Sequence, residues 1–125
     1  MITIEQVNFI LSLHGSDPEA ILKAVNSLPT QAYVYCLLLE GGHYYIGYTT
    51  ELDKRLAKHH KGMATAWTKL HKVVSILETI KTDTVNGKAL ERETTLKYMT
   101  DKGWQKVRGA AWTQCNLAVP PVPFR

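Results

Sequence analysis

The chain has 125 residues, of which 45% are hydrophobic, and it carries a formal net charge of +4. A chain of this length forms one hydrophobic core, so we expect a single domain. No apolar run approaches the roughly 20 residues that cross a bilayer, which argues against a membrane protein. Cys36 and Cys115 lie far apart without neighbouring metal ligands, and no secretory signal pattern opens the sequence. We therefore expect reduced thiols in a cytoplasmic protein.

Much of the positive charge is concentrated in one stretch that contains few acidic residues. Its basic side chains are Lys54, Arg55, Lys58, His59, His60, Lys61, Lys69, His71 and Lys72. Because phosphates attract such a cluster over a distance, nucleic acid is the favoured partner. The alternative is a basic face that is merely solvated, in a small interaction or regulatory protein.

The sequence pattern of residues 1–30 predicts two short helices that form an N-terminal extension. We therefore expect residues 31–125 to form the main domain. Ser16-Asp17-Pro18-Glu19 is a typical helix start, with a cap residue followed by proline and an acid in the first turn. Apolar residues at helical spacing follow it, and Pro29 ends that helix.

A hairpin is predicted next, with strands over Tyr33–Leu39 and His43–Tyr48 joined at Gly41-Gly42. Side chains alternate faces along a strand, so a two-residue loop would place Tyr35 and Tyr45 on opposite faces. A loop with an odd number of residues, or a bulge at the glycines, would place them on the same face. A site shared by the two tyrosines requires the same face, and we predict that arrangement.

The helix after the hairpin, from Glu51 to about His60 with Thr50 as its cap, carries the first candidate site residues. Leu52, Leu56 and His59 recur at the spacing that lines one face, and Arg55 lies beside them. We therefore expect Arg55 and His59 to point towards the sheet. An inward arginine needs an acceptor, which could be a carboxylate in a structural ion pair or a phosphate.

The remaining elements complete an α+β fold. Residues 61–71 read as a basic loop, and Val73–Ile80 alternates like a third strand. Asn86-Gly87 starts a longer helix that ends near Gly103, and Val107–Gly109 reads as a turn. The sequence thus predicts a small three-stranded antiparallel sheet flanked by helices.

Glu93 is the candidate carboxylate on that longer helix. The helical spacing places it on one face with Ala89, Leu96 and Thr100, whereas Glu91 should point the opposite way into solvent. A glutamate inside such a stripe requires a partner. That partner could be an arginine in a salt bridge, or a Mg²⁺ ion, which needs few protein ligands.

Taken in order, these segments resemble the GIY-YIG nuclease family. Tyr33-Val34-Tyr35 resembles the first half-motif, with Tyr33 where the family usually has glycine, and Tyr45-Ile46-Gly47 matches the second. Arg55 matches the arginine of the family, and His59 matches a histidine that many members place one turn later. Glu93 stands at the position of the metal-binding glutamate.

The resemblance covers about residues 32–112 and leaves the N-terminal extension outside. Trp67-Thr68-Lys69 and Trp104–Gly109 resemble features of a viral and phage-like subgroup. The family often has an asparagine after the glutamate helix. This chain has Gln105 and Arg108 in that region, and no role is carried over to either as the replacement for that asparagine.

The resemblance implies metal-dependent hydrolysis of DNA phosphodiester bonds. Tyr35 would be the general base or position the water, assisted by His59, and it would need nearby positive charge to lower its pKa. Arg55 would stabilise transition-state charge, and Glu93 would hold Mg²⁺ or Mn²⁺. Tyr45 would bind the phosphate or the water network.

Candidate nucleic-acid contacts are Gly47, Lys61, Trp67, Lys69 and Arg108. Gly47 has no side chain, which would allow the scissile backbone to approach closely, whereas Trp67 could equally be a packing residue. One site cuts one strand, so double-strand cleavage would require a homodimer on DNA or two visits. The alternative function is a non-catalytic nucleic-acid-binding module that retains the fold.

Overall fold

The computed structural model describes residues 30–124 together with Ile4, Glu5 and Glu19. The predicted N-terminal helices, and with them the boundary of the extension, lie outside the described residues. Across residues 30–124, four strands form one sheet in the order β3-β1-β2-β4, accompanied by three α-helices. The strands are β1 (Gln31–Leu39), β2 (His43–Thr49), β3 (Val73–Asp83) and β4 (Val107–Gly109), and the helices are α1 (Leu52–His60), α2 (Ala66–Leu70) and α3 (Gly87–Lys102). The predicted α+β class is confirmed.

The hairpin of β1 and β2 turns through three residues, Glu40–Gly42, and Leu39 pairs with His43. Gly41 and Gly42 both have positive φ, 72° and 73°, a conformation that glycine adopts without steric penalty. The loop is therefore odd in length, as predicted. Tyr35 and Tyr45 consequently share a face of the sheet, since Leu37 on β1 is the direct partner of Tyr45.

The sheet is covered on both faces, and β1 contributes alternate residues to two separate cores. One core, which we call the α3 face, contains Val34, Cys36, Ile46, Met99 and Val107. The other, which we call the α1 face, contains Tyr35, Leu37, Leu39, Tyr45 and Trp67, with Leu52 and Leu56 of α1 packed against it. The two predicted tyrosines therefore lie beneath α1 and α2.

Three local predictions are corrected. Residues 107–109 form strand β4, parallel to β2, rather than a turn, and the predicted loop over 61–71 contains helix α2. Both elements are too short to show periodicity in a sequence. Helix α2 is stabilised at its start because the Thr65 hydroxyl accepts a hydrogen bond from the backbone N–H of Thr68. Helix α1 begins after Glu51, whose N–H donates to Thr49 rather than Thr50.

Helix α3 begins after Asn86 and ends at Gly103, as predicted. Gly103 has a φ of 97°, which allows the chain to leave the helix abruptly. The side chain of Asp83 accepts hydrogen bonds from the N–H groups of Val85 and Asn86, and so fixes the approach to α3. None of the helices within the described ranges is long and apolar enough to cross a membrane.

Candidate active site

Helix α1 presents two of its five basic side chains to the sheet and three, including His60, to solvent. His59 is 1% exposed and Arg55 is half-buried, whereas Lys54 and Lys58 are exposed. The predicted orientation of α1 is confirmed. It follows from the spacing of Leu52, Leu56 and His59, whose common face packs on the α1 face of the sheet.

A chain of hydrogen bonds links Tyr35 to His59 and continues into α2. The Tyr35 Oη lies 2.7 Å from His59 Nε2, and His59 Nδ1 lies 3.0 Å from the Thr68 hydroxyl. The Thr68 hydroxyl in turn lies 2.9 Å from that of Thr65. When Nδ1 donates its proton to Thr68, Nε2 is free to accept a proton from the Tyr35 phenol. The geometry thus orients the imidazole as a base directed at Tyr35.

Burial determines the protonation states of this pair. Burial, together with the smaller effect of the neighbouring Arg55 charge, lowers the pKa of His59 to about 4. Burial also raises the pKa of Tyr35, with the nearby Tyr45 phenol adding to the rise, and the opposing effect of Arg55 is smaller. At neutral pH the pair is therefore a protonated phenol and a neutral imidazole. The positive charge that the base role of Tyr35 would require is present in Arg55, but the pKa of Tyr35 is raised, because desolvation outweighs the guanidinium.

Arg55 is placed between the two tyrosines and the solvent. Its Nε donates a long hydrogen bond of 3.4 Å to Tyr35 Oη, and this contact is the main reason that its own pKa is raised. Among the described residues the ion pair at contact distance is Lys54 with Glu51, so no carboxylate neutralises Arg55 directly. Its positive charge remains available to a phosphate.

Gly47 is adjacent to Tyr35 in the strand register, and the two are packed tightly together. A Cβ at position 47 would collide with the ring and hydroxyl of Tyr35, and Gly47 itself is buried. The predicted contact of Gly47 with a scissile backbone is therefore corrected, because Tyr35 fills the space above it. The ring centroid of Tyr45 lies 6.2 Å from that of Tyr35 and 4.9 Å from that of His59, so the three rings lie together.

The structure places Glu91, and not the predicted Glu93, on the side of Tyr35 and Arg55. Glu93 is exposed and lines a shallow groove beside Glu78, Ile80 and Lys97, over the α3 face. Glu91 is half-buried, and burial raises its pKa while Lys88, Arg55 and the backbone of Tyr48 oppose that rise. Its charge also raises the pKa of both Tyr35 and Tyr45, so it lies on the side of the site.

The sequence of α3 also indicates the orientation of Glu91, although the spacing of its large apolar residues does not. The buried positions of α3 are Gly87, Thr94, Thr95 and Met99, and Glu91 belongs to the same helical face. Gly87 packs against the ring of Tyr48, which presses the first turn of α3 against β2. Glycine and threonine can face a core, so a search for large apolar residues alone selected the wrong face.

Comparison with known proteins places this geometry in a family. The GIY-YIG catalytic domain matches residues 31–106, from β1 to the turn that precedes β4. The chain belongs to the GIY-YIG family. This membership accounts for the predicted resemblance and indicates a nuclease.

Several UPF0213 proteins are similar to this GIY-YIG chain. That of Enterococcus faecalis is 38% identical over 72 residues, which are 56% of this chain and 81% of the relative. That of Halobacterium salinarum is 31% identical over 68 residues, or 54% of this chain and 87% of the relative. That of Streptococcus pneumoniae is 40% identical over 47 residues, or 38% of this chain and 48% of the relative. These names state no activity, and the phage-like subgroup stays a prediction. No solved structure matches the chain.

The side chains of this GIY-YIG site supply only some of the ligands that a Mg²⁺ ion needs. Within residues 30–124 no cluster of three or more His, Cys, Asp or Glu side chains could enclose a metal ion. Mg²⁺ in nucleic-acid enzymes is typically held by one or two carboxylates, with substrate phosphates and water filling the other positions. The single carboxylate of Glu91 suits that mode, in which the phosphate completes the metal site.

Two of the five candidate nucleic-acid residues prove to be structural. Trp67 is buried, and its indole N–H donates to the carbonyl of Tyr44 at 2.9 Å. Arg108 is 3% exposed, stacks 4.4 Å from the Trp67 ring and donates to backbone carbonyls including those of Trp104 and Gln114. Both side chains are occupied by contacts within the fold, and together they anchor the C-terminal segment to α2.

Lys61 and Lys69 are exposed, at the end of α1 and within α2. Their role in binding DNA stays a prediction.

Proposed function

We propose that this chain is a metal-dependent endonuclease that hydrolyses DNA phosphodiester bonds. The observation that carries the proposal is the 2.7 Å hydrogen bond between Tyr35 and the buried imidazole of His59, beside Arg55. A phenol paired with a neutral base can relay a proton from water. Because Tyr35 is fully buried in the free protein, the proposal requires its hydroxyl to become accessible when the substrate binds. The net positive charge and the family membership support a nucleic-acid substrate.

The proton leaves the attacking water through Tyr35. The Tyr35 oxygen accepts the proton of the water as the phenolic proton passes to His59 Nε2, so the phenol is unchanged and His59 becomes charged. Thr68 holds the opposite nitrogen of the ring and keeps it aligned. This route avoids a free phenolate, which the raised pKa of Tyr35 disfavours.

Arg55 has two roles in this proposal. It stabilises the negative charge that develops on the phosphate in the transition state. Its charge also lowers the pKa of His59 in the free protein. A bound phosphate would neutralise much of that charge, so His59 would become a stronger base when the substrate is present.

Glu91 would hold a Mg²⁺ or Mn²⁺ ion together with the phosphate. Such an ion, when bound, polarises the phosphate and stabilises the leaving oxygen. The half-buried position of Glu91 limits competition from water, and Lys88 and Arg55 oppose the rise in its carboxyl pKa that burial causes. The Tyr45 phenol would hydrogen-bond the phosphate from the other side of Tyr35.

Nicking of supercoiled plasmid tests the function and the glutamate assignment together. We expect nicking with Mg²⁺ or Mn²⁺, its loss in EDTA, and its loss in Glu91→Gln. Glu93→Gln is the matched control, since it makes the same change two residues away on an exposed surface, and it should nick at the normal rate. No nicking by the unaltered chain on plasmid, branched or single-stranded DNA would instead favour a binding module.

A single site cuts a single strand, so we propose that double-strand cleavage requires a second copy of the chain. The yield of linear plasmid should then rise more steeply with protein concentration than the yield of nicked plasmid. Equal concentration dependence of the two products would contradict the homodimer and indicate two independent visits.

A further inference from the structure

Two adjoining cavities lie behind His59, on the side away from Tyr35. The first, which we call the apolar groove, has a volume of about 470 Å³ between α1 and β3 and is lined by Leu56, Ala57, Val74 and Ile76 among others. The second, which we call the basic cleft, has a volume of about 370 Å³. The side chains that supply its positive charge are Lys61, Lys69 and Lys72. The two cavities share His59, His60 and Val73 as a common wall.

The apolar groove leaves hydrophobic side chains in contact with solvent. Val74 is 58% exposed and Ile76 is 50% exposed, in the part of β3 where its pairing with β1 shifts register. Leu37 forms part of the wall, and Ser75 contributes a hydroxyl that can both donate and accept. An apolar concavity with a few polar groups is the usual form of a site for a small planar ligand.

The basic cleft has an excess of positive charge. Glu40 is the acidic residue in its lining, against three lysines, and the ion pair that the described structure contains, Lys54 with Glu51, lies elsewhere. Lys61, Lys69 and Lys72 are all exposed. Cationic side chains that converge on one cavity without acidic partners are suited to binding a phosphate.

We infer that the apolar groove and the basic cleft together form a subsite for one nucleotide, with the base in the groove and its phosphate in the cleft. A nucleotide joins an apolar ring to an anion across one sugar, which matches two such cavities that share a wall. The base must be unpaired, because a paired base is covered on both sides by its neighbours in the stack. The subsite therefore directs the chain towards strands with an unpaired or single-stranded nucleotide near the scissile bond.

This substrate class rests on the proposed nuclease function, but binding at the subsite does not. A free nucleotide carries the same chemistry as a nucleotide in a strand. The test is therefore a binding measurement without metal, in which no cleavage occurs. Failure to cleave plasmid, branched and single-stranded DNA would contradict the nuclease, and failure to bind the nucleotide would contradict the subsite.

The first experiment follows the backbone amide resonances of the ¹⁵N-labelled full chain during titration. The probes are deoxyadenosine monophosphate, deoxyadenosine and inorganic phosphate. We expect the monophosphate to shift the amides of Val74, Ser75 and Ile76 and those of Lys69 and Lys72, and to bind at least about tenfold more tightly than either half alone. Equal affinity for inorganic phosphate, or no shift along Val74–Ile76, would overturn the proposal. Shifts at those amides that grow with protein concentration alone would also overturn it, in favour of a second copy.

Two pairs of variants locate the ligand. Ala57→Phe fills the groove from the exposed surface of α1, and Ala89→Phe makes the same change on the exposed surface of α3. Lys69→Glu with Lys72→Glu reverses the charge of the cleft, whereas Lys81→Glu with Lys97→Glu reverses two exposed lysines outside it. We expect each test variant to bind the monophosphate at least about tenfold more weakly and each control to bind normally. Equal losses in the test and control variants would contradict the assignment.

A competition experiment distinguishes a free nucleotide from a nucleotide within a nucleic-acid strand as the natural ligand. A short single-stranded oligodeoxynucleotide should displace the monophosphate at a concentration at least about tenfold lower than a duplex of the same length. Displacement by both at equal concentration would contradict the requirement for an unpaired base. No displacement by either would overturn the assignment to a nucleic-acid strand and leave a site for a free nucleotide.

Discussion

The two faces of the sheet are built from the same strands but use buried polar groups differently. On the α1 face, Tyr35 is fully buried and contacts His59 and Arg55, so three ionisable groups converge. On the α3 face, the neighbouring Cys36 is equally buried among Val34, Ile46 and Met99, and its thiol lies 3.7 Å from the Glu78 carboxylate, which also accepts a hydrogen bond from Tyr98. The α3 face thus combines apolar packing with a thiol beside a carboxylate, whereas the α1 face places a neutral imidazole and an arginine beside a buried phenol.

The largest expected effect is on activity, from changes to the α1 face. Arg55→Ala should reduce the rate of plasmid nicking by at least about 100-fold, because it removes the positive charge beside the phosphate. Lys54→Ala, one residue away on the exposed side of α1, should nick at a rate close to normal. Similar rates for the two variants would contradict the site, and circular dichroism would check that both remain folded.

On the α3 face the expected effect is on stability alone. Met99→Ala leaves a cavity in a core where Met99 is 2% exposed, and should lower the free energy of unfolding by about 2–5 kcal/mol. The folded fraction should retain its nicking rate, since Met99 contacts none of the proposed catalytic side chains. Urea denaturation measures the first effect, and a loss of activity in fully folded protein would show that the two faces are coupled.

The buried imidazole makes the stability of the protein depend on pH. His59 has a folded pKa of about 4 against 6.5 for an ordinary histidine, so the unfolded chain binds the extra proton between these values. Stability should therefore fall as pH falls from 6.5 towards 4, by up to about 3 kcal/mol, and this contribution should change no further below pH 4. The control is His59→Gln. The part of the pH dependence of the unfolding free energy that is due to His59 should be absent from this variant.

The smallest expected effects concern the exposed lysines at the edge of the α1 face. Lys61→Ala and Lys69→Ala should each weaken DNA binding modestly and reduce the slope of log affinity against log salt by about 1. Lys97→Ala, on α3, should leave the slope unchanged. A slope that responds equally to all three would indicate that DNA is attracted by net charge and not by this surface.

Local patterns predicted the parts of the site that lie on one element. The spacing of Leu52, Leu56 and His59 was sufficient to turn Arg55 and His59 inwards, because helical geometry makes that face unavoidable. The three-residue turn at Glu40–Gly42 was likewise predictable, since a shared site for Tyr35 and Tyr45 requires an odd loop. The class of the fold also followed from the order of these elements.

Only the tertiary structure decided which carboxylate lies beside the proposed site. Glu91 and Glu93 are two residues apart on α3, and the helix packs with Gly87 against Tyr48 and with Glu91 beside the backbone of Tyr48 on β2. The tertiary structure also shows that Trp67 and Arg108 are buried against each other, which residue type alone does not reveal. The sequence by itself determined the kind of chemistry, because residue types and their spacing within an element are local properties. Which of those residues meet depends on packing between elements distant in the chain, and that packing exists only in the folded protein.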